Sequence, residues 1–362
     1  MDELKSVREE ISNIDREISL LFVRRMKAVE AVAEYKKKHG LPIYDRAREL
    51  ELLSRTADLI EDPEMREFYT VFQENTMALS RSYQERLMCG MRVAFSGTEG
   101  AFAHIAASRL FPTATKIGYP DFADAYAAVI KGDCDVAVLP IENSYNGEVG
   151  QVTDLMFSGT LCVNEITDLA ITQDLLAPKG ATLDSVKTVI SHPQALGQCR
   201  NYIKKHGFQT VEHANTALAA KEVAKSGDIS MAAIASAEAA EIFGLEVLER
   251  NINESRMNTT RFAVFSRVEN KHRPSDGKVH TVLLFTVRNE AGALAKAIDV
   301  IGRHGFNMRS IRSRPMKELL WQYYFYVEAE GNLYTEEGQA MMAELSEYCD
   351  KLKAVGTYVD KE

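Results

Sequence analysis

Long apolar runs are absent from this chain of 362 residues. No stretch supplies the roughly 20 consecutive apolar residues that a bilayer-spanning helix needs, which excludes a helical membrane anchor. Cysteine is scarce. The five that occur (Cys89, Cys134, Cys162, Cys199 and Cys349) are scattered, odd in number and free of any C-x-x-C pair. That pattern excludes a disulfide framework and a structural zinc site, and fits a reducing compartment. The eight histidines never fall at metal-ligand spacing, so no metal is expected. Positive charge is in deficit: 43 Lys and Arg against 52 Asp and Glu give a net charge of −9. Nucleic acid and anionic membrane are therefore not expected as partners. The opening residues, MDELKSVREEISN, carry charge where a secretory leader would carry an apolar core, and a cytoplasmic location is expected. Internal repeats and low-complexity segments are lacking too.

What is present divides into three stretches. Residues 1–88 read as all helix. Leu4, Val7, Ile11, Ile14, Ile18 and Leu21 follow the three-four spacing of a helix seam. Nothing interrupts it before Gly40 and Pro42, which predicts a helix roughly 55 Å long. A second helix is predicted from Asp45, a good N-cap, with Leu50, Leu53, Ala57 and Ile60 on one face and Pro63 ending it. A third carries Met65, Phe68, Phe72, Leu79 and Tyr83. Two shorter helices do not cover one long one, so this part is expected to dimerise with its long helices side by side. Residues 91–270 alternate short β-branched runs with amphipathic stretches, which predicts a parallel α/β sheet, either single or split into two lobes with a cleft. ENKHRPSDGK (269–278) reads as a polar linker. Residues 278–362 give the strand and helix order βαββαβ of a ferredoxin-like domain.

Continued along the first helix, the apolar seam runs into cations. Arg25 and Lys36 are eleven residues apart, so they lie within ~20° of one face and about 16 Å apart along the axis. Two long side chains leaning inward leave a gap the size of a small dianion. Asp45, Arg48 and Glu49 share one face of the second helix, and Ser80 and Gln84 stand at i and i+4 on the third. Through VREEISNIDREISLLFVRRM, YKKKHGLPIYDRARELELL and MALSRSYQ, residues 4–87 resemble the AroQ-type chorismate mutase domain. The resemblance implies that Arg25, Lys36 and Arg48 hold the two carboxylates and the ether oxygen of chorismate. It further implies that Arg8 reaches in from a partner subunit, that Asp45 and Glu49 hold the substrate hydroxyl and the arginines, and that Ser80 adds a hydrogen bond. Lys36 and Gln84 would both donate to the ether oxygen. The chemistry fits: a Claisen rearrangement transfers no proton and needs no cofactor. It needs the enolpyruvyl arm held over the ring and donors aimed at the oxygen that gains negative charge.

In the middle stretch, LPIENSYNGEVGQ ends an apolar strand in Glu142, Asn143 and Ser144, and Gly147 lets the backbone turn. FSGTEGAFAH, ISHPQALGQC (with Ser191 and His192) and HANTALAA (with Asn215 and Thr216) have the same design. Each places short polar side chains and free N–H groups at the carboxyl end of a strand, where α/β sheets bind ligands. GTEGAF is neither a P-loop nor a dinucleotide fingerprint. NTTRF (258–262) adds Thr260, Arg261 and Phe262. These five pieces, in order over about residues 91–268, resemble the prephenate dehydratase family. The resemblance implies two lobes like those of solute-binding proteins, with prephenate in the cleft between them. Thr260 matches the family's essential threonine, and Glu142, Asn143 and Ser144 would face the substrate. The departing ring hydroxyl needs a proton donor, and the departing carboxylate needs surroundings poorer in water than bulk solution. A threonine is a weak acid, so Thr260 is read as a hydrogen-bond donor or relay. In a regular strand Arg261 points away from Thr260: either the motif sits at a loop–strand junction or Arg261 does structural work.

Residues 279–360 resemble the ACT family through AGALAKAIDVIGRHGFNM and RSRP. The resemblance implies phenylalanine held between paired domains, with Gly292, Ala293, Leu294, Asn307, Ser313, Arg314 and Pro315 as effector-binding residues. The chain departs from the family's pattern at Ala291, where Pro is usual, and at Arg312, where Glu is usual. Together the resemblances imply a cofactor-free cytosolic enzyme, a homodimer or higher homo-oligomer, acting on chorismate and then on prephenate with phenylalanine as effector. Two rivals are a dehydratase that takes arogenate and a non-catalytic small-molecule sensor.

Overall fold

The structure is a computed structural model that describes residues 2–255, 257–270, 278–316 and 322–360. It forms two compact units, Met1–Arg92 and Val93–Glu362. Among the described residues no helix is long and apolar enough to cross a membrane.

The first unit is built from α1 (Asp2–His39), α2 (Arg46–Ala57) and α3 (Pro63–Cys89). The unbroken seam makes α1 a single helix, and Gly40, at φ +65°, turns the chain after it. Asp45 caps α2 by accepting from the Arg48 N–H, and Asp62 caps α3 by accepting from Glu64 and Met65. Pro63 does not end the second helix as expected. It is the first residue of α3, where its missing N–H costs nothing, and α2 stops earlier, at Ala57. The amino-terminal half of α1 leaves its seam uncovered, with Val7, Ile11 and Ile14 about half exposed.

The second unit begins with eleven strands. They are β1 (Arg92–Ser96), β2 (Thr115–Tyr119), β3 (Val136–Asn143), β4 (Gly147–Glu148), β5 (Cys162–Ala170), β6 (Asp174–Ala177), β7 (Thr188–Ser191), β8 (Gln209–Glu212), β9 (Met231–Ala235), β10 (Glu246–Glu249) and β11 (Thr259–Ser266). They make two sheets, β2-β1-β3-β11-β5 and β10-β6-β9-β7-β8, each the centre of one lobe. Neither is wholly parallel, which corrects the sequence expectation. After building the second lobe the chain re-enters the first through β11, which runs antiparallel to both β3 and β5. The β5–β6 and β10–β11 connections therefore both cross between lobes. They pair with each other: the Ile171 N–H donates to Asn258 O and the Ile252 N–H to Gln173 O, each at 2.8 Å.

The last part is β12 (Lys278–Thr286), helix Ala293–Arg303, β13 (Asn307–Pro315), β14 (Tyr323–Glu330), helix Glu336–Tyr348 and β15 (Lys351–Asp360). Its antiparallel sheet has the order β13-β14-β12-β15, the arrangement expected of a βαββαβ domain. Most of the expected linker, residues 271–277, lies outside the described residues. This domain does not hang free. Val282, Leu284, Tyr326, Val355 and Tyr358 belong to the same buried cluster as Leu139, Val163 and Phe265 of the first lobe. Backbones approach so closely that a Cβ on Gly356 would lie 2.0 Å from the Val163 carbonyl oxygen.

Candidate active sites

In the helical unit, Arg25, Lys36, Asp45, Arg48, Glu49, Ser80 and Gln84 line one hollow of about 160 Å³, walled by Val29, Ile43 and Met77. Arg25 donates to Ser80 Oγ, and Lys36 Nζ donates to Ile43 O at 2.5 Å. Burial pushes the pKa of Arg25 down. Gln84 Nε2 donates to Ser80 O at 3.3 Å, and Gln84 Oε1 is buried without a partner. Arg48 turns its guanidinium to Glu51 at 2.9 Å. Arg81, which the sequence reading missed, also lines the hollow. It pairs with Glu49 and lies over the Tyr44 ring, 5.3 Å from its centroid. Arg8 is exposed on α1, roughly 25 Å along the helix from Arg25, and does not reach the hollow of its own chain.

In the second unit, a cleft of about 370 Å³ is lined by Asn143, Gly147, His192, Asn215, Thr216 and Thr260 from the expected set. Gly147 sits at φ +78°, a turn that favours glycine. Asn143 ends β3 with its amide orientation settled. Its Oδ1 accepts from the N–H groups of Tyr145 and Asn146, each at 3.0 Å. Its Nδ2 must then donate, and it does so to Asn258 Oδ1 at 2.8 Å and Thr260 Oγ1 at 2.9 Å. Thr260 is 8% exposed. Because its oxygen already accepts from Asn143, its own hydrogen is free to donate to a ligand. Asn215 caps helix Thr216–Ser226 through the Leu218 N–H, so its place in the cleft and its capping role are compatible. His192 caps the turn that follows β7 through the Gln194 N–H.

Several expected residues stand elsewhere. Glu142 precedes Asn143 in a strand and so faces the opposite way. It meets Arg312 at 2.5 Å and Arg261 at 3.6 Å. Ser144 clasps the NTTRF segment: Oγ donates to Met257 O and accepts from the Thr259 N–H, both at 2.9 Å. Ser191 is fully buried and donates to Ile234 O at 2.5 Å. Phe262 is a buried core residue. Arg261 does structural work on the face opposite Thr260. It grips Glu328 through two bonds at 2.8 and 2.9 Å, with a third to Tyr358 Oη at 3.0 Å. Burial alone would raise the Glu328 carboxyl, but Arg261 and Tyr358 outweigh it and hold the pKa below the usual range. The sequence reading missed Gln173, Gln198 and Asn258, all of which line the cleft. Gln198 and Asn258 lie inside motifs already singled out. Gln173 belongs to no motif, and only the pairing of the crossing segments puts it there.

The residues expected to bind an effector are scattered within one chain. Gly292, at φ +80°, leads through Ala293 into the first helix of the C-terminal domain, and Leu294 lines a hollow of about 440 Å³ with Arg288, Tyr323 and Phe325. Asn307, Ser313 and Pro315 lie on the exposed face of β13. Pro315 borders a different hollow, of about 750 Å³, beside Asp154 and Tyr324. Arg314 is engaged with Asp154 at 3.0 Å and Tyr324 Oη at 3.1 Å.

Comparison with known proteins agrees with this division. A family model described as chorismate mutase type II matches residues 7–85, and one described as prephenate dehydratase matches residues 93–270. The bifunctional chorismate mutase/prephenate dehydratase of Aquifex aeolicus (strain VF5) is 34% identical over 99% of this chain and 98% of its own length. A prephenate dehydratase from Arthrobacter aurescens, solved in complex with L-Phe, is 27% identical with a TM-score of 0.69, covering 75% of this chain and 90% of that one. A solved chain described as GqqA, a quorum-quenching acylase, is 32% identical with a TM-score of 0.69, covering 75% of this chain and 98% of that one.

Proposed function

This chain belongs to the bifunctional chorismate mutase/prephenate dehydratase family, and from that premise we propose how its residues divide the work. It rearranges chorismate to prephenate, then converts prephenate to phenylpyruvate with loss of carbon dioxide and water. Membership of a family of enzymes sets aside the reading as a non-catalytic sensor.

In the helical hollow, Arg25 and Arg48 take the substrate carboxylates, assisted by Arg81, while Asp45 and Glu49 hold the ring hydroxyl and the arginines. Lys36 aims its ammonium at the ether oxygen, and Gln84 Nε2 keeps a second hydrogen for the same atom. The half-dry surroundings make these charges worth more than in water. Ser80 holds Arg25 in place. The exposed seam of α1 supports a dimer in which a second copy covers it and Arg8 of the partner subunit closes the hollow.

In the cleft, Thr260 donates a hydrogen bond to the ring hydroxyl as it leaves. The ring carboxylate departs as carbon dioxide, its bonding pair completes the aromatic ring, and the hydroxide becomes water with the one proton that the overall reaction takes from hydronium or buffer acid in the solvent. Asn215 and Thr216, at the start of an eleven-residue helix, offer side chains and N–H groups to a substrate carboxylate. The observation that carries this reading is the buried Thr260 hydroxyl, whose oxygen is occupied by Asn143 so that its hydrogen serves the substrate. The test follows chorismate loss and phenylpyruvate formation separately. Lys36→Ala removes the first activity and spares the second, and Thr260→Ala does the reverse. Equal loss of both in either variant would sink the division.

The βαββαβ order, together with the L-Phe complex of the Arthrobacter relative, supports phenylalanine as feedback effector of an ACT-type domain. Because one chain leaves the effector residues spread over two hollows, the proposed binding place lies between the C-terminal domains of two copies. Titrating L-phenylalanine against the dehydratase rate tests this.

A further inference from the structure

We infer that Asn258 is a substrate-contacting residue of the dehydratase, donating from Nδ2 to the ring hydroxyl oxygen as it departs. This rests on the cleft being the dehydratase site. Asn258 is 4% exposed and lines the cleft, yet its Nδ2 is buried without a hydrogen-bond partner. A buried unpaired N–H is costly, and such groups in a native structure call for an explanation. The orientation is not arbitrary. Two backbone N–H groups fix Asn143 Oδ1 as an acceptor. Asn143 Nδ2 is therefore the donor to Asn258 Oδ1, and the other end of the Asn258 amide must be N–H. The same Asn143 amide donates to Thr260 Oγ1. One fixed group thus orients two neighbours, an N–H at 258 and an O–H at 260. Two neutral donors meeting the oxygen where charge develops form an oxyanion-hole arrangement. No proton leaves Asn258. Its N–H stabilises the hydroxide until that takes one proton from hydronium or buffer acid in the solvent.

Asn258→Asp tests this, because it keeps an oxygen for Asn143 and replaces the donor by a carboxylate. The expected result is a fall in dehydratase kcat of roughly 10²–10³-fold, with KM for prephenate changed by less than about threefold and mutase activity intact. As pH falls and the new carboxyl protonates, it regains an O–H donor. The ratio of variant to parent kcat then rises, measured after subtraction of the enzyme-free rate. Asn258→Ala shows the same loss at neutral pH without acid recovery. A kcat near that of the parent, or a rise in KM alone, overturns the inference. So does an Asn258→Ala variant that remains active should the Asp form not fold. If Thr260→Ala retains dehydratase activity, the reading of the cleft fails. If Thr260→Ala is inactive and Asn258→Asp behaves like the parent, only the role of Asn258 fails.

Discussion

Glu328 is 1% exposed and belongs to the C-terminal domain, yet its strongest partner is Arg261, the neighbour of Thr260 in the cleft. A buried carboxylate of this kind is tolerable only while its cation is present. Glu328→Gln is expected to lower unfolding stability by about 3 kcal/mol at neutral pH, read by denaturant titration. The pH dependence has a definite sign. The folded pKa is depressed below the ordinary glutamate value. The contribution is therefore full above the ordinary glutamate value and is lost as pH falls through the depressed one. Thermal unfolding followed from pH 6 down to pH 3 should show a shallower acid-side decline in Glu328→Gln than in the parent. Side-chain alternation narrows Arg261 to two readings, a loop–strand junction or structural work, because a threonine and an arginine in sequence on a strand cannot face the same way; the pairing of β11 with β5 decides for the second. The same rule applies to Glu142 and Asn143. The strand phase there is fixed by pairing with β11, which the motif itself does not record.

At the scale of elements, what the sequence made legible was what local pattern controls. The extent of α1, the cap at Asp45, the strand at 136–143 and the βαββαβ order all follow from periodicity and turn chemistry. The antiparallel return of β11 does not, since nothing within TTRFAVFS records which neighbours it will join. Gln173 was invisible for the same reason. Two elements carry tests. The exposed seam of α1 predicts that Ile14→Asp shifts the chain to monomer in sedimentation and reduces mutase activity at least tenfold, leaving the dehydratase little changed. The contact of β15 with β5 predicts that Gly356→Ala destabilises by about 1–3 kcal/mol, since the new methyl meets backbone rather than a side chain that can move. A midpoint unchanged in urea would show that the two strands can separate without cost.

The molecule as a whole is less modular than its sequence suggests. The C-terminal domain shares a core with the first lobe, and Arg312 is placed on Glu142 behind the cleft wall. Arg312→Glu sets two carboxylates against each other. It should lower dehydratase activity further than Arg312→Gln does, since only the first adds a like charge. Equal rates in the two variants would mean the charge at 312 has no part in positioning the wall. A contrast between the two sites remains. The helical hollow is lined by Arg25, Lys36, Arg48 and Arg81, whereas no lysine or arginine is among the described residues that line the cleft. Ionic strength screens the first kind of grip and hardly touches neutral dipoles. Added sodium chloride should therefore act as a one-sided dial, raising KM for chorismate several-fold while leaving that for prephenate nearly flat. Prephenate would leave the site that makes it more readily in brine, and reach the site that consumes it with its welcome unchanged.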